Sequence, residues 1–418
     1  MVPMEILLTK ITEYFAVPSL EYQALLRIVA GLWNRENARN GIWFSLHSSV
    51  FEYFNQFMSV IRNDINHLPL PTKSKKELFH FSEGIALEMF RWNVHHNENY
   101  NLNIIIPNNI CWKPLGTLNY EETAKLLIQN STLPVFTRFY LSCMYGLEDS
   151  IKELWNAIPI YQRSLLRSEM YFVYYWLNVL TLDTSSPWNG YREIRQMENL
   201  TIDVFRTSIY RRDIFVSDYI IKKIKPENKL NKLLITEFKN TTTRIYKFFP
   251  RMSCMVKFPY SDIFCWLFHK LEKKQQQKML MKHPFPVLLC YLEWPRQELF
   301  IEMAPYMFKY LSGIHFGFLL KEIAYKVLHF KDFDYETLFG QFGRQSLVTH
   351  KEFAIGSNSC WSALYHLFMT SDRQNIELNF ASTTVDQKKI ILQSVWWKRI
   401  KTDLNRQGKN DLLNFLNN

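Results

Sequence analysis

The chain has 418 residues, of which 47% are hydrophobic and 16% aromatic, and a net charge of +11. This aromatic content excludes a disordered chain, since disordered segments contain few aromatic residues. Glycine, with 12 residues, is too scarce to supply the turns of a many-stranded fold, so the composition favours helices. A chain of this length forms two or three domains or a stack of repeats that grows in one dimension.

The sequence gives no sign of a targeting or membrane segment. Its first fifteen residues lack the basic region and sustained apolar run of a signal peptide. The longest apolar stretch, residues 170–182, contains Asn178 and is shorter than the roughly 20 residues that cross a bilayer. The six cysteines form no CxxC pair and are expected to be reduced, buried thiols. These features predict an intracellular protein, cytoplasmic or nuclear.

The first part of the chain is predicted to be a helical region, residues 1–118, that ends in an irregular segment rich in asparagine at 99–116. Asn119 and Glu122 then form a capping pair, which marks the start of a helix. The apolar residues that follow have helical spacing and are expected to face a core: Ala124, Leu127 and Ile128.

The clearest helical pattern lies at residues 137–155. Phe139, Leu141 and Cys143 place apolar groups along a short helix. Gly146 is expected to end this helix, because glycine adopts a positive φ without steric cost. The sequence therefore predicts a tight turn at Gly146.

A second helix is predicted directly after this turn. Asp149 is expected to accept hydrogen bonds from the backbone N–H groups at its start. Its buried face is expected to consist of Ile151, Leu154 and Trp155. Pro159 ends the pattern, so the segment predicts two short antiparallel helices.

This helix pair resembles the central part of an ankyrin repeat, with Thr137 at the position of the usual threonine and Gly146 at the turn. Arg138 stands where the family has proline, and Tyr140 stands where it has histidine. A weaker resemblance follows at residues 278–305. The resemblance implies an all-α superhelix, or solenoid, of stacked antiparallel helix pairs that is ankyrin-like in the middle, over residues 119–380.

Further helices are predicted in the rest of the chain. Residues 161–180 are expected to form a central buried helix, and 183–191 a loop. Residues 261–282 and 306–330 are expected to form long helices, the second divided near Gly313 and Gly317. Another loop is predicted at 356–360.

The last region, residues 381–418, is expected to contain capping helices with a polar outer face. Thr384 and Gln387 form its capping pair. The apolar stripe that follows consists of Leu392, Trp396, Ile400 and Leu404.

Positive charge is concentrated in residues 206–282, where 18 lysine or arginine residues and 6 aspartate or glutamate residues give a net charge of +12. The remainder of the chain is close to neutral. Aromatic residues such as Tyr210 and Phe248 lie between these charges, an arrangement found in proteins that bind single strands. The candidate basic interaction face consists of Arg211, Arg212, Lys222, Lys223, Lys225, Lys229 and Lys232.

Metal-binding patterns are too sparse to predict a site. Cys265 and His269 lie one helical turn apart, and His95 and His96 precede Glu98, but a structural zinc site needs about four ligands. Cys265 is expected to lie in the core, and His269 at a helix edge.

Three other patterns fall short of known catalytic or ligand-binding motifs. The acidic residues at 332, 334 and 336 lack the glycine and terminal glutamate of a calcium loop and predict a turn or helix start. Residues 339–343, FGQFG, lack the Lys-Ser/Thr pair of a phosphate loop and are interpreted as a hinge. Ser357 and Ser359 lack a GxSxG context. The sequence therefore predicts neither a cofactor nor catalytic residues.

The predicted function is a non-catalytic scaffold that recognises an unidentified protein partner through degenerate ankyrin-like helical repeats. Two alternatives stay open. One is a nucleic-acid-binding protein that uses the basic 206–282 segment, although no binding motif accompanies the charge. The other is an all-α enzyme with a pocket between helices.

Overall fold

The computed structural model describes residues 19–35, 50–104, 110–181, 190–249, 260–356 and 384–409, with positions 8, 107, 361, 365, 368 and 369. Within these residues the regular secondary structure is helical, and no β-strand occurs apart from one isolated bridge between Trp112 and Leu118. The all-α class is therefore confirmed. The loop predicted at 183–191 lies mostly outside the described residues, as does the one at 356–360.

The helices up to residue 270 include a π-helical turn, Val94–Glu98, and a 3₁₀ helix, Ile160–Leu165. The α-helices are α1 Leu20–Trp33, α2 Val50–Asn66, α3 Thr72–Asn93, α4 Tyr120–Gln129, α5 Val135–Tyr145, α6 Glu148–Ala157, α7 Tyr171–Thr181, α8 Gly190–Arg211, α9 Ile214–Ile221, α10 Glu227–Phe248 and α11 Ser261–Lys270.

The helices of the remaining chain include a single 3₁₀ turn, Phe308–Tyr310. The α-helices are α12 Lys273–Lys282, α13 Pro284–Tyr291, α14 Gln297–Met307, α15 Gly313–His329, α16 Tyr335–Gln345, α17 Val348–Gly356, α18 Val385–Gln393 and α19 Val395–Arg406.

The described residues divide into two compact units. Unit 1 takes its residues from Met1–Ser19, Ile65–Gly84 and Lys273–Asn418, and unit 2 from Leu20–Asp64 and Ile85–Glu272. In each unit, helices that follow one another along the chain also pack against one another, as α4, α5, α6 and α7 do around the buried helix α5. The boundaries at residues 118 and 380 stay a prediction.

The turn between α5 and α6 has the predicted geometry. Gly146 has a φ of 63° and caps α5. Its N–H donates to the carbonyl of Cys143 at 3.4 Å, and the N–H of Leu147 donates to the carbonyl of Ser142 at 3.0 Å. This pair of bonds satisfies carbonyl groups that the helix end leaves open. The helix pair around Gly146 is thus confirmed.

Two details of α6 differ from the prediction. Asp149 does not cap the helix, since the N-cap is Leu147, which makes no side-chain hydrogen bond. Asp149 is exposed in the first turn, where its negative charge interacts favourably with the positive end of the helix dipole. Ile151 and Leu154 are buried as expected, but Trp155 is only half-buried. The guanidinium of Arg163 covers its ring at 4.1 Å, because Trp155 lies at the edge of the core.

Several predicted helices are broken at other places. The helix expected at 261–282 ends at Lys270 and restarts at Lys273. The segment 306–330 is divided before Gly313, as predicted, whereas Gly317 is buried inside α15. Residues 339–343 are not a hinge but lie inside α16, where apolar residues at helical spacing keep the helix continuous.

The predicted central helix at 161–180 is shorter and begins at Tyr171. Phe172, Val173, Tyr175 and Trp176 are buried, while the preceding 3₁₀ helix has no buried residue.

Both predicted capping pairs are confirmed. The Asn119 side chain accepts from the N–H of Glu122, and Thr384 with Gln387 forms a complete capping box. The terminal helix is interrupted at Ser394, which caps α19. This break changes the buried face, so Trp397 is buried in place of Trp396.

A Gly146→Ala substitution is expected to lower the free energy of unfolding by about 2 to 4 kcal/mol, from the cost of a positive φ and from overpacking. A Cβ atom at this position would lie 2.2 Å from the ring of Tyr219. Urea denaturation followed by circular dichroism measures the change. The matched control is Gly31→Ala in α1, where the new Cβ meets nothing within 4 Å. This control is expected to raise stability by about 0.5 to 1 kcal/mol, and equal effects at both positions would refute the assigned turn.

Candidate functional site

The structure divides the predicted basic face into two groups. Arg211 and Arg212 are exposed at the carboxyl end of α8. The other five residues follow α9 or lie in the first turns of α10: Lys222, Lys223, Lys225, Lys229 and Lys232. Helix α9 separates the groups, and its eight residues rise by about 12 Å. The seven residues therefore do not form one cluster.

Part of the second group is neutralised by carboxylates. Lys222 lies 3.2 Å from Asp218, Lys223 2.8 Å from Glu148, and Lys229 3.8 Å from Glu198. The hydrogen bonds from Lys223 and Tyr219 hold the pKa of Glu148 below its usual value, so this carboxylate stays charged at neutral pH. These lysines serve as structural partners as well as surface charges.

A column of lysines along α10 has no such partners. Lys232, Lys239 and Lys247 are all exposed, and their spacing of seven and eight residues places them on one face of the helix. Among the described residues, no carboxylate lies within ion-pair distance of these three ammonium groups. We call Lys232, Lys239 and Lys247 the lysine column. Of these three, only Lys232 belongs to the basic face predicted from the sequence, although the helical spacing could have identified the other two.

Aromatic rings and guanidinium groups meet at the carboxyl ends of α8 and α10. Tyr210 is 61% exposed, and the guanidinium of Arg244 lies over its ring at 4.9 Å. Phe248 stacks on Tyr260, with ring centroids 6.1 Å apart and planes 22° apart. Arg212 lies over the Tyr260 ring at 5.4 Å. We call these five residues the aromatic–arginine group.

A different surface is formed by the 3₁₀ helix between α6 and α7. Ile160, Tyr161 and Leu165 are 81%, 77% and 65% exposed. The Arg163 side chain fixes this segment, because it covers the Trp155 ring and also donates to the Trp155 carbonyl at 3.0 Å. Three large apolar side chains are thus displayed on a rigid turn. We call Ile160, Tyr161 and Leu165 the apolar turn.

Unit 2 also buries a cluster of polar groups around Asp213. The Asp213 side chain accepts hydrogen bonds from the hydroxyls of Tyr100 and Tyr171, both at 2.9 Å, and from the N–H of Val216 at the start of α9. Burial raises the pKa of Tyr100 and of Tyr171, so both hydroxyls keep their protons and donate. This carboxyl group therefore links the segment after the π-helical turn to α7 and α9.

His96 lies in the same buried region, on the π-helical turn. Its Nδ1 lies 2.7 Å from the Trp92 carbonyl, which can only accept, so Nδ1 carries the proton. Its Nε2 then accepts from the Tyr145 hydroxyl at 2.8 Å. Burial, and secondly the neighbouring His95, lower the pKa of His96 well below its usual value, despite the bond to Trp92. His96 is therefore a neutral structural side chain.

The other sequence-derived metal candidates do not converge. Both nitrogens of His96 are occupied, and Glu98 is exposed. Cys265 is buried in α11 and His269 is half-buried, as expected of core and helix-edge residues. In the described part of the chain, no group of three or more His, Cys, Asp or Glu side chains is placed to hold a metal ion.

Unit 1 contains a buried ion pair that sequence analysis missed. Lys326 Nζ lies 3.0 Å from Glu293 Oε1, and both side chains are at most 4% exposed. Burial alone would lower the pKa of Lys326, but Glu293, Asp332 and Glu322 raise it above its usual value. Lys326 is therefore charged. Its position inside α15 offers no polar pattern that would mark it in the sequence.

Asp332 belongs to this cluster and not to an exposed turn. Its Oδ2 accepts from Gln297 at 3.0 Å and from the Tyr335 hydroxyl at 3.2 Å. The two other acidic residues of the sequence trio lie elsewhere. Asp334 caps α16, and Glu336 lies in its first turn, which confirms a helix start.

The two buried clusters pair most of their donors and acceptors internally, which is typical of polar networks that specify a packed core. The chain matches no protein-family model, no curated protein and no solved structure. None of the described helices has the length and hydropathy required to span a membrane. The exposed groups are therefore the basis for a functional proposal.

Acid is expected to destabilise the protein through His96. The unfolded ring binds a proton near pH 6.5, whereas the buried ring stays neutral, so its stabilising effect is complete above that pH and lost below it. Between about pH 7 and 5.5, the free energy of unfolding should fall less steeply for His96→Gln than for the natural protein, by up to about 1.4 kcal/mol per pH unit. Urea denaturation at each pH measures this difference. Parallel curves for the two proteins would contradict the assignment.

Lys326→Met is expected to lower the free energy of unfolding by about 3 to 5 kcal/mol, because it leaves the Glu293 and Asp332 carboxylates buried without their cation. The double variant Lys326→Met/Glu293→Gln removes one of these charges and should recover part of the loss. Chemical denaturation of both variants tests the pair. A single variant within about 1 kcal/mol of the natural protein would show that Lys326 is solvated.

Proposed function

We propose that the protein is a non-catalytic scaffold that recognises another protein, and that its helices form a solenoid of degenerate ankyrin-like pairs. The helix pair α5 and α6, with its left-handed glycine, supports this proposal. Packing between successive helices in both units supports it as well. In such folds the exposed turns between helices are free to vary and to contact partners.

The apolar turn is the observation that carries the proposal. Exposed clusters of large apolar side chains are typical of protein interaction sites. Burial of one such side chain against a partner contributes roughly 1.5 to 3 kcal/mol. A partner that covers all three side chains would therefore gain much of the binding free energy of an interface from them.

The rigidity of this turn favours recognition further. Arg163 donates to the carbonyls of Trp155 and Ile158, at 3.0 and 3.2 Å, and stacks on the Trp155 ring. A segment that is already ordered loses less conformational entropy when it binds. Tyrosine, as at Tyr161, is also enriched among residues that dominate interface energies.

Charge indicates the chemistry of the partner. The chain has a net charge of +11, so we propose an acidic protein with an apolar site for Ile160, Tyr161 and Leu165. Electrostatic complementarity of this kind accelerates association and rejects basic partners. The alternative of an all-α enzyme has no comparable support among the described residues.

Substitution of the apolar turn tests the proposal. The measurement is quantitative co-purification after cross-linking. A protein that co-purifies with the natural chain should be lost from the variant Ile160→Ser/Tyr161→Ser/Leu165→Ser. The melting temperature of this variant should be unchanged. The control Leu20→Ser/Val385→Ser/Val395→Ser removes three aliphatic side chains that are 79% to 84% exposed.

The control should retain the same acidic protein, and that protein, once purified, should bind the natural chain directly. Identical protein sets for all three chains would exclude the apolar turn as the recognition site. Loss of the protein from the control as well would also exclude the apolar turn as the recognition site, since general surface hydrophobicity would then explain binding.

A further inference from the structure

We propose that unit 2 binds a single strand of nucleic acid along the exposed face of α10, with the phosphates on the lysine column and a base on Tyr210. This site is separate in residues from the apolar turn. It also differs from the basic face expected from sequence, since it uses Lys239, Lys247 and Arg244 and excludes the paired Lys222, Lys223 and Lys229.

The lysine column provides the electrostatic part of the site. Lys232 and Lys247 are 15 residues apart on one continuous helix, a rise of about 22 Å. Their ammonium groups have no carboxylate partner among the described residues, and all three lysines are exposed, so the column can bind phosphates. A positive track of this kind follows the backbone of a strand without reading its sequence.

The aromatic–arginine group provides the second part, at the carboxyl end of the same helix. The Tyr210 ring stays 61% exposed although Arg244 lies over it, so a base can stack on the accessible ring. Arg212 is exposed and offers a guanidinium group to a phosphate or a base, whereas Arg244 is half-buried and supports the Tyr210 ring. Lys247 lies three residues from Arg244 on α10, so Arg244 joins the lysine column to the Tyr210 ring of α8.

The composition of this surface favours nucleic acid over an acidic protein. In residues 196–249, the exposed large apolar side chains are the aromatic rings of Tyr210 and Phe248. Aliphatic side chains, which fill most protein interfaces together with aromatic ones, are absent from the exposed set of this segment. Rings flanked by cations, without aliphatic neighbours, match the chemistry of bases and phosphates.

Fluorescence anisotropy with a labelled oligouridine of about 20 nucleotides tests the electrostatic part. Binding by the full chain should weaken steeply as salt rises from about 50 to 200 mM. The variant Lys232→Gln/Lys239→Gln/Lys247→Gln should bind at least about tenfold more weakly. The slope of its log affinity against log salt concentration should be smaller by about 2, because each lost phosphate contact accounts for about 0.7.

The matched control is Lys389→Gln/Lys398→Gln/Lys401→Gln. These three lysines are also exposed, lie in unit 1, and their replacement changes the net charge by the same amount. The control should bind within about twofold of the natural chain, with the same salt slope. Equal losses in the two triple variants would overturn the proposal, because charge alone and not the column would then determine binding. Absence of binding at the lowest salt would also overturn it.

Tyr210 tests the stacking part. Tyr210→Ala should reduce affinity by about 5- to 150-fold without changing the salt slope, while Tyr210→Phe, which keeps the ring, should bind like the natural chain. An unaffected Tyr210→Ala variant would refute a single-strand site and indicate a general polyanion surface, such as one for an acidic protein. The apolar-turn variant should bind the oligonucleotide normally, so this proposal and the proposed function can fail independently.

Discussion

The Asp213 side chain is the interaction on which the architecture of unit 2 depends. It is fully buried and accepts from Tyr100, Tyr171 and the first turn of α9, three segments that are far apart in the sequence. An unpaired carboxylate at this depth would be strongly destabilising, so these segments are held where their donors reach it. His96 and Tyr145 extend the same principle to the π-helical turn and α5. These bonds fix the positions of α5, α7 and α9 within unit 2, and with them the positions of their outer faces.

The described polar groups of the two buried clusters are largely paired with one another. Among the described residues of unit 2, Asp213, Tyr100, Tyr171 and His96 are hydrogen-bonded to one another, to Tyr145 or to the backbone, and Lys326 and Glu293 of unit 1 form an ion pair. Three groups are exposed on the surface of unit 2: the apolar turn, the lysine column and much of the aromatic–arginine group. Arg163 holds the apolar turn, and the lysine column lies on α10, which packs against α8 and α11. Recognition by exposed side chains on a rigid scaffold therefore agrees with both proposals.

The sequence predicted features whose cause is local. Gly146 and the capping residues Asn119 and Thr384 act on their own helix ends, so their roles could be recognised from neighbouring residues. The bonds of Asp213 to Tyr100 and Tyr171, of Lys326 to Glu293 and of Asp332 to Gln297 could not be recognised in this way, because these partners are distant in the sequence. The same limit applies to Trp155, whose exposure depends on Arg163. The basic surface was predicted in part: the charge was visible, but the ion pairs that divide it form only in three dimensions.

The central claim is that the ionisable core of unit 2 is structural, and the titration of His96 tests it most directly. Nitrogen-15 NMR of the histidine-labelled protein, with His96 assigned through His96→Gln, reports both tautomer and charge. The account predicts a neutral ring with its proton on Nδ1, unchanged from about pH 8 to 5.5, since burial lowers its pKa. A ring that titrates near pH 6.5, or that carries its proton on Nε2, would contradict the account, because His96 would then be open to solvent and available for chemistry.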